Sequence, residues 1–313
     1  MQEAFSLIQK SNSIVFATHI NPDADTLGSA LGLLQSLNLD GKKAVVYNCG
    51  ELPRNLSFLP GYSLVTDVFP SDVDLVVALD CGNKDRLALG VGDYKILNID
   101  HHTSNPLYGD INIVDASAAS TASVVLDFLR GVNIAPTKES AVCLYAALAS
   151  DTGFFAYDSV DKRAFLDAAY LVECGVDASE VAVAMTQNEP LSKIRLHSSI
   201  LSTLKLMANG KLAYLHMTDM MLQDAGARPD EADGAAEAAR SVRGVEVSLF
   251  IREQDDGKLR SSLRSKSDVD VNKLASMFGG GGHIKAAGFT LPIEKDFLSQ
   301  AAEIAKTIEN SIG

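Results

Sequence analysis

The first half of this sequence is a succession of short Val-, Ile- and Leu-rich runs separated by helical stretches, a pattern few folds accommodate. The runs are SIVFA (13–17), KAVVYN (43–48), DLVVALD (74–80), YKILNID (94–100) and INIVD (111–115). Their apolar residues are nearly continuous rather than alternating, as expected of strands buried on both faces of a parallel sheet. Helical stretches at 25–37, 120–129 and 139–148 accompany them. Strand and helix in alternation predict an α/β domain with a doubly wound parallel sheet. From 161 to about 206 the pattern is mostly helical. A second set of strands follows, KLAYLHM (211–217), GVEVSLFIRE (244–253) and KLRSSLRS (258–265), with helices at 231–240, 270–278 and 294–309. This set predicts a smaller α/β domain. A length of 313 residues suits that division. The expected boundaries are 1–185 for the first domain, 186–205 for a helical connector and 206–313 for the second domain.

Charge narrows the partners. The chain carries 27 Lys and Arg against 40 Asp and Glu, a net charge of −13. Such a chain has no overall field for gripping long nucleic acid, which rests on many Lys/Arg–phosphate contacts. Residues 241–290 carry a basic excess, eight against six, while the rest of the chain holds 19 against 34; the basic residues there centre on Arg252, Lys258, Arg260, Arg264, Lys266 and Lys285. That segment is expected to recognise an anion locally. Aromatic residues make up 6% with no Trp, so a stacking platform for long single strands is not expected. No apolar run reaches the roughly 18–20 residues that span a bilayer. The N-terminus MQEAFSLIQKSNS lacks the pattern of a signal peptide. Four scattered cysteines without a CxxC point to reduced thiols in a cytoplasmic protein with no membrane partner.

The ends of the apolar runs carry the chemistry. After SIVFA comes Thr18-His19-Ile20-Asn21-Pro22-Asp23-Ala24-Asp25; DLVVAL ends in Asp80; YKILNI ends in Asp100-His101-His102. The helical run AVCLYAALAS (141–150) ends in Asp151, followed by Thr152-Gly153. In open parallel sheets ligands bind at the carboxyl ends of strands. An aspartate at the start of a helix, such as Asp25, is often only a cap. Four ends converging on Asp and His are a different matter. Unpaired carboxylates gathered in a cleft repel one another, and divalent cations are the usual remedy. Histidine among the donors favours a borderline transition ion such as Mn²⁺ over Mg²⁺.

These residues resemble the DHH phosphoesterase superfamily, named for the triplet seen here as Asp100-His101-His102. The other motifs follow in order: His19-x-x-x-Asp23-x-Asp25, Asp80 at a strand end, and Asp151-Thr152-Gly153. Gly279-Gly280-Gly281-Gly282-His283 with Ala286-Ala287-Gly288 is similar to the signature of the small domain that often accompanies that family. Length and layout look most like the nano-RNase group, which includes oligoribonucleases and pAp phosphatases and is related to di-adenylate phosphodiesterases. The resemblance implies an active site in the cleft between two domains, with two Mn²⁺ ions and Mg²⁺ or Co²⁺ as substitutes. His19, Asp23 and Asp80 would hold one ion; Asp25, Asp80, His101 and Asp151 would hold the other, with Asp80 as bridge. Ions about 3.5–4 Å apart need such a shared ligand, and an ionised water between them would attack phosphorus in line. His102 is assigned to the phosphate oxygens or to protonating the leaving oxygen, and Asp100 to fixing an imidazole tautomer.

On the substrate side the resemblance implies that Arg264, Ser265, Gly281, Gly282 and His283 hold the terminal phosphate and base. A glycine run lets backbone approach a ligand closely. Arg86 and Asn105 are further candidates for substrate contacts. The expected substrates are short oligoribonucleotides, dinucleotides such as pApA, or pAp, with cyclic di-AMP as the alternative. A related pyrophosphatase would lack Gly279–His283, and a processive exonuclease would need a basic channel. A non-catalytic nucleotide-binding regulator would be expected to have lost a metal ligand, whereas every such position is filled. Oligomeric state stays open, with a homodimer as the candidate assembly.

Overall fold

Each of the five apolar runs forms a strand in a computed structural model that describes residues 1–266 and 268–312. The first compact unit, Met1–Asn188, is built from α1 (Gln2–Lys10), β1 (Ser13–Ala17), α2 (Ala24–Ser36) and β2 (Lys43–Tyr47). It continues through β3 (Leu75–Leu79), β4 (Lys95–Asp100), β5 (Ile111–Val114), α3 (Thr121–Gly131), α4 (Lys138–Asp151), α5 (Lys162–Glu173) and α6 (Ala178–Thr186). The strands pair in parallel in the order β2-β1-β3-β4-β5. The chain therefore reverses its direction across the sheet between β1 and β3. The carboxyl ends of those two strands are where an open α/β sheet binds its ligand. His19 lies just beyond one and Asp80 just beyond the other.

Alternate side chains feed two cores, as the two-residue period of a strand requires. Ile14, Phe16, Leu75, Val77, Leu79, Leu97 and Ile99 pack with the helices. Val15, Ala17, Val76, Ala78 and Ile96 pack on the other face, where Tyr47, Phe69, Val73, Leu87 and Tyr94 complete the cluster. Both faces are buried, which accounts for the unbroken apolar runs. On the helical face α2 and α4 lie unusually close, because Gly28 and Gly32 present no side chain. A Cβ on Gly28 would stand 2.5 Å from the backbone oxygen of Cys143, and one on Gly32 2.6 Å from Leu144.

The second compact unit, Glu189–Gly313, opens with α7 (Leu191–Ser202), β6 (Lys205–Met207), β7 (Leu212–Met217), α8 (Asp219–Ala225) and α9 (Ala235–Arg240). It ends with β8 (Val247–Glu253), β9 (Lys258–Ser265), α10 (Val271–Ser276), β10 (Gly281–Gly282), β11 (Ala286–Gly288), β12 (Thr290–Pro292) and α11 (Phe297–Ile312). The strand order is β10-β11-β9-β8-β7-β6, with β12 also pairing β9; β7 and β8 run parallel and the other pairs antiparallel. One face packs on α10 and α11 and the other on α7, α8 and α9. Within the segment read as a connector, Leu196 and Ile200 of α7 are fully buried in this unit's core. Among the described residues no helix is long and apolar enough to cross a membrane.

The close approach of α2 and α4 makes a stability prediction. Alanine in a helix interior gains up to about 1 kcal/mol over glycine, but a Cβ at Gly28 meets a backbone oxygen, and overpacking costs about 1–3 kcal/mol. Gly28→Ala should therefore lower the urea midpoint. An unchanged or raised midpoint would mean the two helices separate at no cost.

Candidate active site

Local backbone geometry delivers the acidic and histidine side chains to one place. Asp23 caps α2, its Oδ1 accepting the N–H groups of Asp25 and Thr26, which leaves Oδ2 to face His19. Asp80 leaves β3 with φ +54, a left-handed conformation that Asp tolerates better than most residues. His101 and His102 follow the last residue of β4, and Asp151 ends α4. Asp25, Asp80, His19 and Asp100 are buried.

Two donor clusters share one carboxylate. His19 Nε2 stands 3.8 Å from Asp23 Oδ2 and 3.7 Å from Asp80 Oδ2. His101 Nε2 stands 3.6 Å from the other oxygen of Asp80, 3.8 Å from Asp25 Oδ2 and 3.2 Å from Asp151 Oδ2. Donors to one small divalent ion sit roughly 2.0–2.2 Å from it, so two of them stand no more than about 4.4 Å apart. These separations fit that limit. The imidazoles are also turned the right way. His19 Nδ1 faces the carbonyl of Ile20 at 2.9 Å and His101 Nδ1 that of Ala118 at 3.2 Å. A carbonyl demands N–H, so both Nε2 lone pairs are left for a cation. The residues present therefore fit a pair of divalent ions.

His102 differs. Its Nδ1 lies 2.7 Å from Asp100 Oδ1, so that atom carries a proton and cannot ligate, although it is also 3.6 Å from Asp80. Asp100 further accepts the backbone N–H groups of His101 and His102 and, on Oδ2, the amide of Asn105 at 2.5 Å.

Electrostatics mark the same cluster. Burial pushes Asp25 well above the ordinary carboxylate range, with the charges of Asp80, Asp151 and Asp23 adding to it. Burial likewise raises Asp151 to about 6, against the pull of His101. Burial disfavours charge on His19, yet its bonds to Asp23 and Asp80 outweigh this and raise it to about 9. Asp100 is also penalised by burial, but bonds from His102 and Asn105 hold it below the usual range. In return Asp100 raises His102.

The other anticipated residues are placed variously. The Arg86 guanidinium reaches within 3.1 Å of His19 Nδ1. Asn105 spends its side chain on Asp100 and on Asn98. In the second unit Arg264 donates to Glu237 at 2.6 Å and to the carbonyl of Leu263, and Ser265 is fully buried. Gly280 and Gly282 are packed against β11 and the residue following it. A Cβ would come within 2.2 Å of the Gly288 oxygen and 2.5 Å of the Ala286 oxygen respectively. Gly281 faces outward, its nearest neighbour the Asn272 side chain at 3.5 Å, and His283 is exposed beside it. Several of the anticipated basic residues are paired: Arg252 with Asp233, Lys258 with Asp256, and Lys266 with the carbonyls of Arg240 and Val242. Sequence reasoning missed the Ala118 carbonyl, which no residue type signals, and Thr121, which reads only as the start of a helix.

Residues 13–148 match the DHH family, N-terminal domain, and residues 209–312 match the DHHA1 domain. Over 281 residues the chain is 36% identical to the bifunctional oligoribonuclease and PAP phosphatase NrnA of Thermus thermophilus, covering 89% of this chain and 84% of that protein. It is 28% identical over 295 residues to the protein of the same name from Bacillus subtilis, covering 92% of each. A crystal structure of an exopolyphosphatase-related protein from Bacteroides fragilis shares the fold, with a TM-score of 0.90 at 23% identity over 99% of this chain and 95% of that one.

Cation binding should depend on pH in a definite sense. A cation displaces the proton from His19, whose pKa is about 9, and from Asp151, near 6. Affinity for Mn²⁺ should therefore climb between pH 6 and pH 9, with protons released on binding. Calorimetry in buffers of different ionisation enthalpy counts those protons; affinity that is flat over this range would contradict the electrostatics described here.

Proposed function

We propose the following function from the premise that this chain belongs to the DHH family of phosphoesterases, in the group of oligoribonucleases and pAp phosphatases. It is a metal-dependent hydrolase that acts on the phosphoester bonds of short nucleotides. Its substrates are oligoribonucleotides of a few residues, dinucleotides such as pApA, and pAp, and its cations are two Mn²⁺ ions. The observation that carries the two-ion reading is Asp80, whose oxygens face different clusters, Oδ2 toward His19 and Oδ1 toward His101. Bound there, a cation pair supplies Lewis-acid charge for the phosphoryl oxygens and ionises a water near neutral pH.

The chain's own groups do the rest. Asp100 accepts a hydrogen bond from the Nδ1–H of His102 and, being charged, favours the imidazolium. The second proton then sits on Nε2, where His102 can donate it to the leaving oxygen or bond a phosphate oxygen. Arg86 stands against a ring nitrogen that already serves the Ile20 carbonyl. Its N–H groups find no acceptor at that atom and are available to a substrate phosphate. Arg264, Gly281 and His283 of the second unit recognise the substrate's far end, with the outward face of Gly281 admitting close backbone approach. Asn105 belongs with Asp100 as a positioning residue.

Two experiments test this reading. Asp80→Asn should lower turnover of pApA by more than about a hundredfold, beyond the usual effect of a group that only orients a metal ligand, while the fold persists. Activity within tenfold of the parent at saturating Mn²⁺ would remove Asp80 from its bridging role. Substrate length is the second test. The net charge of −13, with Arg252 and Lys258 paired to Asp233 and Asp256, leaves few phosphate contacts. On a panel of two- to ten-nucleotide RNAs and pAp, kcat/KM should be highest for the shortest substrates. A steady rise to ten nucleotides would instead require a basic track along the protein.

A further inference from the structure

We infer that Thr121 is a positioning residue for the shared carboxylate: buried in the first turn of α3, it holds Asp80 and Asp25 at once and fixes how one carboxylate serves two cations. The inference rests on the two-ion reading above. Thr121 is fully buried. Its hydroxyl donates to Asp80 Oδ1 at 3.0 Å, and its backbone N–H donates to Asp25 Oδ2 at 2.7 Å. The next N–H, of Ala122, donates to Asp25 Oδ1 at 3.1 Å, and the Ser29 hydroxyl adds a bond at 3.3 Å. One helix start thus touches a ligand from each of the two strand ends that flank the reversal point, β1 through Asp25 and β3 through Asp80.

The hydroxyl is not needed by its own helix. Ser120 is the cap of α3, its side chain accepting the N–H of Ser123. The Thr121 side chain is therefore free to serve the site. A carboxylate rotates easily about its last bond and can chelate one cation with both oxygens. A hydroxyl bonded to Oδ1 restrains that rotation and keeps Oδ2 turned to His19 and Asp23. The backbone at the same point is held in a matching way. Thr26, also fully buried, donates its hydroxyl to the Leu79 carbonyl at 2.9 Å, immediately before the left-handed turn at Asp80. Hydroxyls from the first turns of α2 and α3 thus fix, respectively, the backbone and the side chain of the bridging residue.

The test compares Thr121→Val, which keeps the volume and removes the hydroxyl, with Thr121→Ser, which keeps the hydroxyl. Mn²⁺ titration calorimetry and metal-free thermal unfolding are measured on the full chain, with pApA turnover as a third readout. The parent should bind two ions. Thr121→Val should weaken one of them by about 10–100-fold, the range for groups that orient metal ligands. Its kcat should fall by a comparable factor with KM little changed, and Thr121→Ser should recover both within about threefold. If Thr121→Val does not fold, Thr121→Ala takes its place with the same expectation. A lower metal-free unfolding midpoint with both affinities intact overturns the inference, since Thr121 would then serve only the fold. So does a serine variant as defective as the valine one. A parent that binds a single ion overturns the two-ion reading as well, which separates that failure from the failure of Thr121 alone.

Discussion

Crowding of carboxylates around Asp80 is the constraint to which the first unit is built. Asp25 is buried within reach of Asp80, Asp151 and Asp23, and its ionised form is opposed both by burial and by those charges. Such an arrangement survives without a cation only if protons or hydrogen-bond donors compensate. Both compensations are present. Asp151 is raised to about 6, His19 to about 9, and Asp25 receives two backbone N–H groups from the start of α3. These are also the groups that a cation would displace or complement. A divalent cation held by these residues would take the place of those protons.

That frustration is confined by the stiffness of what surrounds it. The sheet beneath Asp80 is apolar on both faces, and α2 and α4 pack at glycine distance above it. Letting the acids spread apart would disturb that close packing. Each histidine is oriented by an acceptor outside the clusters: Ile20 for His19, Ala118 for His101 and Asp100 for His102. The same scaffold thus creates the repulsion and fixes the geometry that makes it useful. The difference between His101 and His102 follows from this. Two adjacent residues of one type are oriented differently because a backbone carbonyl meets one Nδ1 and a buried carboxylate the other.

Much of this was legible in the sequence, for identifiable reasons. Strands buried on both faces write unbroken apolar runs, so β1 to β5 could be placed to within about a residue or two. Asp80, Asp100 and His101 stand out because a polar residue ends an otherwise apolar run. By contrast, α1 spans only nine residues and buries only Ala4 and Ile8, a run shorter than the window of about 11–18 residues over which a helical period is read. The short strands β10, β11 and β12 contain too few side chains to show a period. The role of Asn105 was hidden because its acceptor is another side chain brought near by the fold of the 101–110 loop. Backbone groups such as the Ala118 carbonyl are invisible in principle. Any residue at that position supplies the same atom.

The glycine run shows how one sequence feature can have two separate causes. Read alone, Gly279 to Gly282 suggests a flexible loop or a nest for an anion. The packing divides the four. Gly279 has φ +73, which favours glycine through backbone conformation. Gly280 and Gly282 are dictated from within, since a Cβ on either would collide with the neighbouring backbone. Gly281 has neither a positive φ nor a clash, its nearest neighbour being the Asn272 side chain at an ordinary 3.5 Å, so internal packing leaves its identity unexplained. Asn272 accepts the Gly282 N–H at 2.9 Å, a bond that restrains the backbone beside the outward face of Gly281. A pre-set backbone loses little entropy when it meets a ligand. That is the property a recognition surface for very small substrates needs, because such ligands offer few contacts to offset the cost of ordering a loop.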